Sequence, residues 1–221
     1  MPGSSSRDVR PWDAFVLAAR RLWEAPWSEE DVTMTHKTDA TGFPDVLRNV
    51  SAERLLEAYA AGPARIRAAL DGLSPSQLAE HPVRGKWSIA EIILHLADAE
   101  IMGAARIRQA VAEPGSTAAV YDQDRWAAGL AYGDRGPDAV EEALQLFELL
   151  RRTSLPLFAR VRGGGNDESV VHPGWGGPLT VRQLLELYAD HSERHLAQML
   201  ERRRLVGAPL DMDLLLPDRL Y

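Results

Sequence analysis

The chain has no cysteine among its 221 residues. It therefore cannot form disulfide bonds, hold a metal through thiolate ligands or use a cysteine nucleophile. It also lacks an excess of basic residues, since the formal net charge is −7 at pH 7. Because phosphate binding needs a basic face, a nucleic-acid partner is not expected. No apolar run approaches the roughly 18 residues of a membrane-spanning helix, so no membrane partner is expected either.

The first residues, MPGSSSRDVRPWD, are not followed by the apolar core of a secretory signal peptide. Together with the lack of cysteine, this pattern predicts a cytoplasmic protein. The apolar share of 45% and the charged share of 26% are ordinary for a globular chain. A chain of this length can bury one hydrophobic core without covalent staples, so we expect one main domain.

Two histidines interrupt the apolar face of a helix predicted at residues 179–204. Thr180 and Gln183 form a T-x-x-Q capping box at its start. Apolar residues then recur at helical spacing, but His191 and His195 occupy the next positions of the same face. A separation of four residues stacks their imidazoles one turn apart, so both can bind one metal ion. The alternative is a pair of core histidines satisfied by hydrogen bonds.

A third histidine, His95, lies in a second predicted helix of the same kind, at residues 87–109. Ser88 and Glu91 form its capping box, and His95 lies at the margin of its apolar face. If the two helices pack together, His95 completes a three-histidine set. Three neutral imidazoles leave at least one coordination position open for water or substrate, as catalytic metal sites require.

Three stretches of the chain resemble the DinB/YfiT-like superfamily in order and spacing: GKWSIAEIILHLADAE, YDQDRWA at residues 121–127, and the HP…LTVRQLLELYADHSERHLAQM block. The resemblance covers residues 51–205 and implies an all-α four-helix bundle that binds a divalent metal through three histidines. The ligand positions of the superfamily match His95, His191 and His195. Zinc is the first expectation for the metal, with nickel or manganese as alternatives, because imidazole ligands do not discriminate strongly among these ions.

The resemblance also implies an enzyme whose metal activates an oxygen or sulfur nucleophile. Similar proteins include S-transferases that use low-molecular-weight thiols such as bacillithiol or mycothiol. We therefore expect transfer of such a thiol, as cosubstrate, to an electrophilic small-molecule substrate. Two alternatives stay open: hydrolysis by metal-bound water, and a non-catalytic metal-binding stress protein. Three protein ligands would favour catalysis, whereas a fourth would indicate a structural site.

The connection that follows the His95 helix holds candidate substrate-binding residues. Tyr121 and Trp126 lie in the YDQDRWA run. One interpretation is that this segment crosses over the metal pocket and lines it. The other is that Trp126 plugs an end of the bundle while Asp122 caps a turn. The two interpretations are compatible.

Arg106 matches an arginine of the superfamily and is a further candidate for the substrate pocket. It lies on the order of 16 Å along the helix from His95, too far to touch a metal-bound group. We expect Arg106 to pair with Asp122 or Asp124 and so hold the connection in place. His172 is expected at the rim of the pocket, not as a fourth ligand.

Carboxylates close to the histidines in sequence are candidates to orient the imidazole rings, as in many metal sites. They are Asp98, one turn after His95, and the pair Asp190 and Glu193 around His191. The alternative for each of them is a position on the surface.

Three segments make up the expected domain organisation: an N-terminal extension at residues 1–50, the metal-binding bundle at 51–205 and a C-terminal tail at 206–221 that packs along the bundle. Residues 11–24 have the spacing of an amphipathic helix. It is expected to dock on the bundle or on a second copy of the chain, giving a homodimer; its mixed charge disfavours a membrane surface. Residues 1–33 are alternatively translated sequence upstream of a natural start at Met34.

Within the bundle, a first helix is expected at residues 51–70, kinked or split at Gly62–Pro63. A single helical turn is expected at 74–80. A third long helix should begin at Pro137, a favourable first helical residue, and should bend or end early at Pro156. The glycine-rich stretch at 163–178 lacks the pattern of a phosphate loop and is expected to be a flexible connection without strands.

Overall fold

The computed structural model describes residues 50–163, 168–172, 177–210 and 214. The predicted extension with its amphipathic helix lies outside these residues. So does most of the tail, although Leu214 packs against the core and its carbonyl accepts a hydrogen bond from Arg65 Nε at 2.6 Å. In the described part, no helix is long and apolar enough to span a membrane.

Six helices account for most of the described chain, which confirms the all-α four-helix bundle. The bundle consists of α1 (Ala52–Ala68), α3 (Ile89–Ala112), α5 (Pro137–Phe158) and α6 (Val181–Leu205). Two short helices, α2 (Pro75–Ala79) and α4 (Gln123–Gly129), lie in the connections.

Local signals in the sequence define where the histidine-bearing helices begin. Both halves of the predicted capping boxes are formed: Ser88 with Glu91 at α3, and Thr180 with Gln183 at α6. Each box satisfies backbone N–H groups that a helix start would otherwise leave without partners. As expected, α5 begins at Pro137.

The direction of each helix follows from two hydrophobic clusters at opposite ends of the bundle. One cluster collects the first turns of α1 and α6 and the last turns of α3 and α5. The other collects the last turns of α1 and α6 and the first turns of α3 and α5. Thus α3 and α5 run parallel to each other and antiparallel to α1 and α6. Because α3 and α5 are parallel, residues 113–136 must return along the whole bundle; we call this segment the crossover.

A buried arginine joins all four bundle helices. Arg151 on α5 is 1% exposed, and its Nε donates to Glu100 Oε2 on α3 at 2.9 Å. Its other nitrogens donate to the Tyr59 carbonyl on α1, and to the Tyr188 carbonyl and the Ser192 hydroxyl on α6. Glu100 also accepts a hydrogen bond from the Tyr59 hydroxyl. The buried charges are therefore paired and their polar atoms satisfied, as burial requires.

The predicted break at Gly62–Pro63 is wrong, because α1 runs unbroken through both residues. Pro63 has no N–H, so the Tyr59 carbonyl one turn earlier loses its helical partner. Arg151 Nη1 donates to that carbonyl at 3.0 Å and replaces the missing bond. The glycine makes room for this guanidinium, since a Cβ on Gly62 would lie 2.5 Å from Arg151 Nη1. Pro156 does not shorten α5 strongly either, because the helix continues to Phe158.

The expectation of no strand is also wrong. β1 (Ser169–His172) and β2 (Gly177–Thr180) form an antiparallel hairpin before α6. The crossover adds a parallel bridge between Thr117 and Val171. The bridge to Thr117 is not local in sequence, so the alternation of a four-residue strand could not reveal it.

Candidate metal centre

The three predicted histidines converge on one point between α3 and α6. The Nε2 atom of His191 lies 3.0 Å from Nε2 of His95 and 3.1 Å from Nε2 of His195. The three ligand atoms all lie within 4.8 Å of one another. In the part of the chain that the structure describes, they are the one group of three or more potential ligand side chains with this geometry.

These distances fit a bound metal ion. Zinc–nitrogen bonds of about 2.0–2.1 Å in a tetrahedron would separate two ligand nitrogens by about 3.3 Å. The observed separations of 3.0 and 3.1 Å are close to this value. The same nitrogen of each ring faces the shared point, so one ion could contact all three imidazoles.

Burial keeps the imidazoles in the form that binds metals. His95 is 1% exposed and His195 is 8% exposed, whereas His191 is partly exposed. Burial lowers the pKa of His95 to about 4. For His191 and His195, burial lowers the pKa well below the usual value, and neighbouring imidazoles of the cluster lower it further. All three rings are therefore neutral near pH 7, with a lone pair available for coordination.

Two uncharged side chains hold the outer nitrogens of the rings. The Tyr121 hydroxyl lies 3.1 Å from Nδ1 of His95. The Gln198 Oε1 atom lies 3.0 Å from Nδ1 of His195, one turn further along α6. An acceptor at Nδ1 places the ring proton there and leaves Nε2 free to face the shared point.

The expectation that carboxylates orient the rings is wrong for the three named candidates. Asp98 accepts a hydrogen bond from the Tyr132 hydroxyl, and Glu193 forms a bidentate pair with Arg65. Asp190 Oδ2 lies 2.8 Å from Arg194 Nε, and its burial raises its pKa to about 6. The three carboxylates are close to the histidines in sequence, but their positions on the helices direct their side chains toward other partners.

The crossover reaches the metal centre through Tyr121 and is packed there by Trp126. The Tyr121 ring stacks on His95, with centroids 6.1 Å apart, and meets the Trp126 ring edge-on at 5.0 Å. Asp122 caps α4 by accepting a hydrogen bond from the Arg125 N–H at 3.0 Å. The expected cap at Asp122 is therefore present, and Tyr121 lies beside His95, whereas substrate binding by Tyr121 and Trp126 stays a prediction.

Arg106 holds the crossover, but not through the predicted carboxylates. Its guanidinium donates to the Ala119 carbonyl at 3.0 Å and to the Tyr188 hydroxyl at 2.9 Å. It is buried and joins α3, the crossover and α6. The pairing with Asp122 or Asp124 is replaced by these two bonds, because Ala119 lies closer along the crossover to the end of α3.

A cleft of about 450 Å³ is lined in part by Trp87, but none of the three histidines is among its lining residues. Trp87 forms one wall, and its ring centroid lies 4.7 Å from that of His95. The lining also carries the carboxylates of Glu91, Asp124 and Asp134, together with Tyr132 and small residues. Its volume falls within the range of small-molecule sites.

Sequence reasoning missed Trp87 and Gln198 as parts of this centre. Trp87 directly precedes the α3 N-cap, a position where a hydrophobic residue is common at any helix start and does not indicate a metal site. Gln198 lies three residues after His195, a spacing that puts both side chains on one helix face and could have identified it. Of the other histidines, His81 lies 2.7 Å from Glu91 Oε2, while the side chain of His172 lies outside the described residues.

The comparisons with known proteins agree with this geometry. A protein of Bacillus licheniformis, named "Putative metal-dependent hydrolase", is 27% identical over 146 residues, which is 66% of this chain and 81% of that protein. A protein of Geobacillus kaustophilus with the same description is 28% identical over 145 residues, which is 66% of this chain and 80% of that protein.

The fold has a solved counterpart. YfiT from Bacillus subtilis, described as "a probable metal-dependent hydrolase with an unusual four-helix bundle topology", matches with a TM-score of 0.64 at 23% identity. The match covers 72% of this chain and 91% of that one, so the two share a fold. The family model of the DinB superfamily matches residues 58–199, well over half of the sequence. The chain therefore belongs to the DinB superfamily.

Proposed function

We propose that this protein is an enzyme that depends on a divalent metal bound by His95, His191 and His195. The convergence of three Nε2 atoms carries the proposal. The names of the relatives, which describe them as metal-dependent, support it independently. Zinc is the first candidate, and nickel and manganese are the alternatives.

The ligand count supports catalysis over a purely structural role. In the described part of the chain, no fourth histidine or carboxylate joins the cluster. A divalent ion held this way would act as a Lewis acid and favour the deprotonated form of a water or thiol bound to it. The cleft lined by Trp87 has the volume of a small-molecule site, and Trp87 in turn packs against His95.

Transfer of a low-molecular-weight thiol of the bacillithiol type to an electrophile is the reaction that we propose first. Within the described residues, no carboxylate hydrogen-bonds to the cluster, whose ring partners are Tyr121 and Gln198. A thiol, with a pKa near 8.5, needs less help to ionise than water does. A thiol from a cosubstrate also fits a chain that has no cysteine.

Hydrolysis is the second candidate, and the names of the relatives favour it. Both reactions would use the same three histidines and the same cleft. They differ in the nucleophile, which is water for the hydrolase and the thiol for the transferase. The two proposals are therefore separable by one assay.

The assay incubates the protein, loaded in turn with Zn²⁺, Ni²⁺ or Mn²⁺, with monochlorobimane and a panel of low-molecular-weight thiols. Thiol transfer predicts a fluorescent conjugate that forms faster than in the buffer with free metal. Parallel reactions without thiol contain activated esters and amides. Hydrolysis of these, without conjugation of any thiol, would overturn the transferase proposal in favour of the hydrolase.

His191→Ala and His81→Ala serve as matched variants in both assays. His191 belongs to the cluster, whereas the exposed His81 bonds Glu91 and is not a member of the cluster. Activity should be lost in the first variant and kept in the second. Equal activity in both variants would show that the three-histidine cluster is not the reactive centre.

A further inference from the structure

One buried arginine differs from the other buried arginines in having no partner. The arginines buried in the described part of the chain are Arg65, Arg106, Arg151, Arg202 and Arg203. All of them except Arg202 donate hydrogen bonds to at least two acceptors. Arg202 is 7% exposed, and among the residues that the structure describes it has no hydrogen-bond or ion-pair partner.

The guanidinium of Arg202 is closed at one end and open at the other. Its Nε atom is fully enclosed and lacks a partner. Its terminal nitrogens also lack partners but are not enclosed, so they keep contact with solvent. The adjacent carboxylate, Glu201, is bonded by Arg204 instead, through Nε at 3.0 Å and Nη2 at 2.8 Å. A buried cation without an anion is costly, so this group calls for a ligand that supplies negative charge.

Arg202 lies on the same face of α6 as the metal centre. Steps of four, three and four residues join His191, His195, Gln198 and Arg202, and this spacing keeps side chains on one side of a helix. Arg202 follows His195 by about 10 Å along the helix axis. Helical side chains lean toward the N-terminus of their helix, which directs Arg202 toward the turn that carries the histidines.

Gln198 lies between the histidines and Arg202 and adds further donors. Its Oε1 atom lies 3.0 Å from Nδ1 of His195, so its amide nitrogen remains for another partner. That nitrogen has no partner within the described chain and is not enclosed. Gln198 and His191 are both partly exposed, so this face of α6 is open to solvent. The result is a set of N–H donors without acceptors, which suits an anion.

We propose that Arg202 and Gln198 form an anion site for a carboxylate on the thiol cosubstrate, whose sulfur reaches the three-histidine centre. This inference rests on the proposed thiol transfer, because it names the chemical class of that thiol. A guanidinium is a planar fork that matches a carboxylate through two parallel N–H···O bonds. A thiol with a carboxylate about 10 Å from its sulfur would be held at both ends.

Two thiols with the same carbon chain test the site. 6-Mercaptohexanoate ends in a carboxylate, and 6-mercaptohexanol ends in an uncharged hydroxyl. Isothermal titration calorimetry with the full-length, Zn²⁺-loaded protein gives the Kd of each. The unmodified protein should bind the acid about tenfold more tightly than the alcohol, because hydrogen bonds to a charged group are strong. Arg202→Met should bind the two thiols equally.

Arg204→Met is the matched control. It removes the same charge from the same turn of α6, but Arg204 is exposed and bonds Glu201. This variant should keep the preference for the acid. Thermal melts separate binding from folding, and Arg202→Met should melt no lower than the unmodified protein, because it removes an unpaired buried charge. Arg202→Lys keeps the charge and should retain part of the preference, so it tests the site even if Arg202→Met does not fold.

Equal affinities for the acid and the alcohol in the unmodified protein would overturn the inference, and so would a preference that persists in Arg202→Met. Arg202 would then only bury its aliphatic stem and keep its tip in water. A measurement without metal separates this result from the proposed function. Hexanoate, which has no thiol, should shift the Arg202 Nε–H and Gln198 amide signals in ¹H–¹⁵N spectra of the metal-free protein. If it does so while the protein binds no Zn²⁺, the proposed function fails but the anion site stands; unshifted signals would overturn the site.

Discussion

His191 offers the most direct single-residue test of the metal centre, because its Nε2 lies next to both other ligand nitrogens. His191→Ala should lower the metal content from one ion per chain to a trace. The helical circular dichroism spectrum should stay unchanged, since α6 keeps its capping box and apolar face. Elemental analysis of the purified variant gives the result.

His81→Ala is the control for this change, because it also removes one histidine but leaves the cluster complete. It should retain one ion per chain. Stoichiometric metal in a folded His191→Ala protein would contradict the three-histidine site.

The buried histidines should make the metal-free protein less stable in mild acid. Burial lowers the pKa of His95 to about 4, whereas an unfolded histidine titrates near 6.5. Between these values the unfolded chain binds more protons than the folded one, so the free energy of unfolding falls as the pH drops from about 6.5 to about 4. The loss from His95 is on the order of 3 kcal/mol at most. Urea denaturation in the presence of a chelator, at several pH values, measures it.

Asp190 works against this trend and must be separated from it. Burial raises its pKa to about 6, so its contribution to stability grows as the pH falls through that value. Replacing His95 by Gln should flatten the pH dependence below 6.5, and replacing Asp190 by Asn should steepen it. If the His95→Gln and Asp190→Asn variants each had the same free energy of unfolding at pH 4.5 and at pH 7, the pKa shifts attributed to burial would be contradicted.

The sequence predicted the three histidines of the cluster, but it did not predict the side chains that hydrogen-bond to their rings. His191 and His195 stand four residues apart on an apolar face, a local pattern that helix geometry converts directly into proximity. Tyr121 reaches His95 from 26 residues away along the chain, through a connection whose path depends on the whole bundle. The partner of Arg106 was predicted wrongly for the same reason. Arg106 donates to a backbone carbonyl, which every residue type carries, so the side chains of the crossover do not reveal this partner.

Among the interactions between helices, the Arg151–Glu100 pair should contribute most to cooperative folding. Arg151→Met should lower the free energy of unfolding by about 3–5 kcal/mol, because it leaves Glu100 charged and buried without its cation. It also removes the donor that replaces the missing Pro63 N–H at the Tyr59 carbonyl. Chemical denaturation of the variant and the unmodified protein measures the difference.

Arg67→Met is the matched control, since Arg67 pairs with Glu141 and Glu148 on the surface. Such an exposed pair contributes about 0–1 kcal/mol. The double variant Arg151→Met/Glu100→Gln should recover part of the loss, because it removes the uncompensated charge. Equal stability of Arg151→Met and Arg67→Met would show that the buried pair does not hold the bundle together.

The helices were predicted more accurately than the strands because their signals are local. Capping boxes and apolar spacing lie within a few residues of the boundaries that they define, and α3 and α6 begin where these patterns indicate. The break expected at Pro63 is absent because a side chain 88 positions away, Arg151, compensates for the proline. The hairpin also pairs with the crossover through Val171 and Thr117, a contact that no window of sequence around β1 contains.

The arrangement of the whole bundle explains why the metal centre can lie in its interior. Parallel α3 and α5 force the crossover to travel the length of the bundle, and this path brings Tyr121 to His95. The ligands themselves come from α3 and α6, whose positions are set by two apolar clusters and by Arg151. We therefore expect these helices to come together without the metal.

Removal of the metal should consequently leave the fold intact but reduce its stability. The described core buries apolar residues at both ends of the bundle, unlike small domains that fold only around an ion. A ligand that binds only the folded state stabilises it by mass action, by about 4 kcal/mol when its concentration is 1,000 times its dissociation constant. For a domain of this size, that corresponds to a fall of about 8–16 °C in Tm on chelation.

Circular dichroism before and after chelation, followed by re-addition of Zn²⁺, measures both the helical content and the Tm. His191→Ala should melt near the chelated protein and should not respond to Zn²⁺. A random-coil spectrum after chelation would show instead that the ion is required for folding.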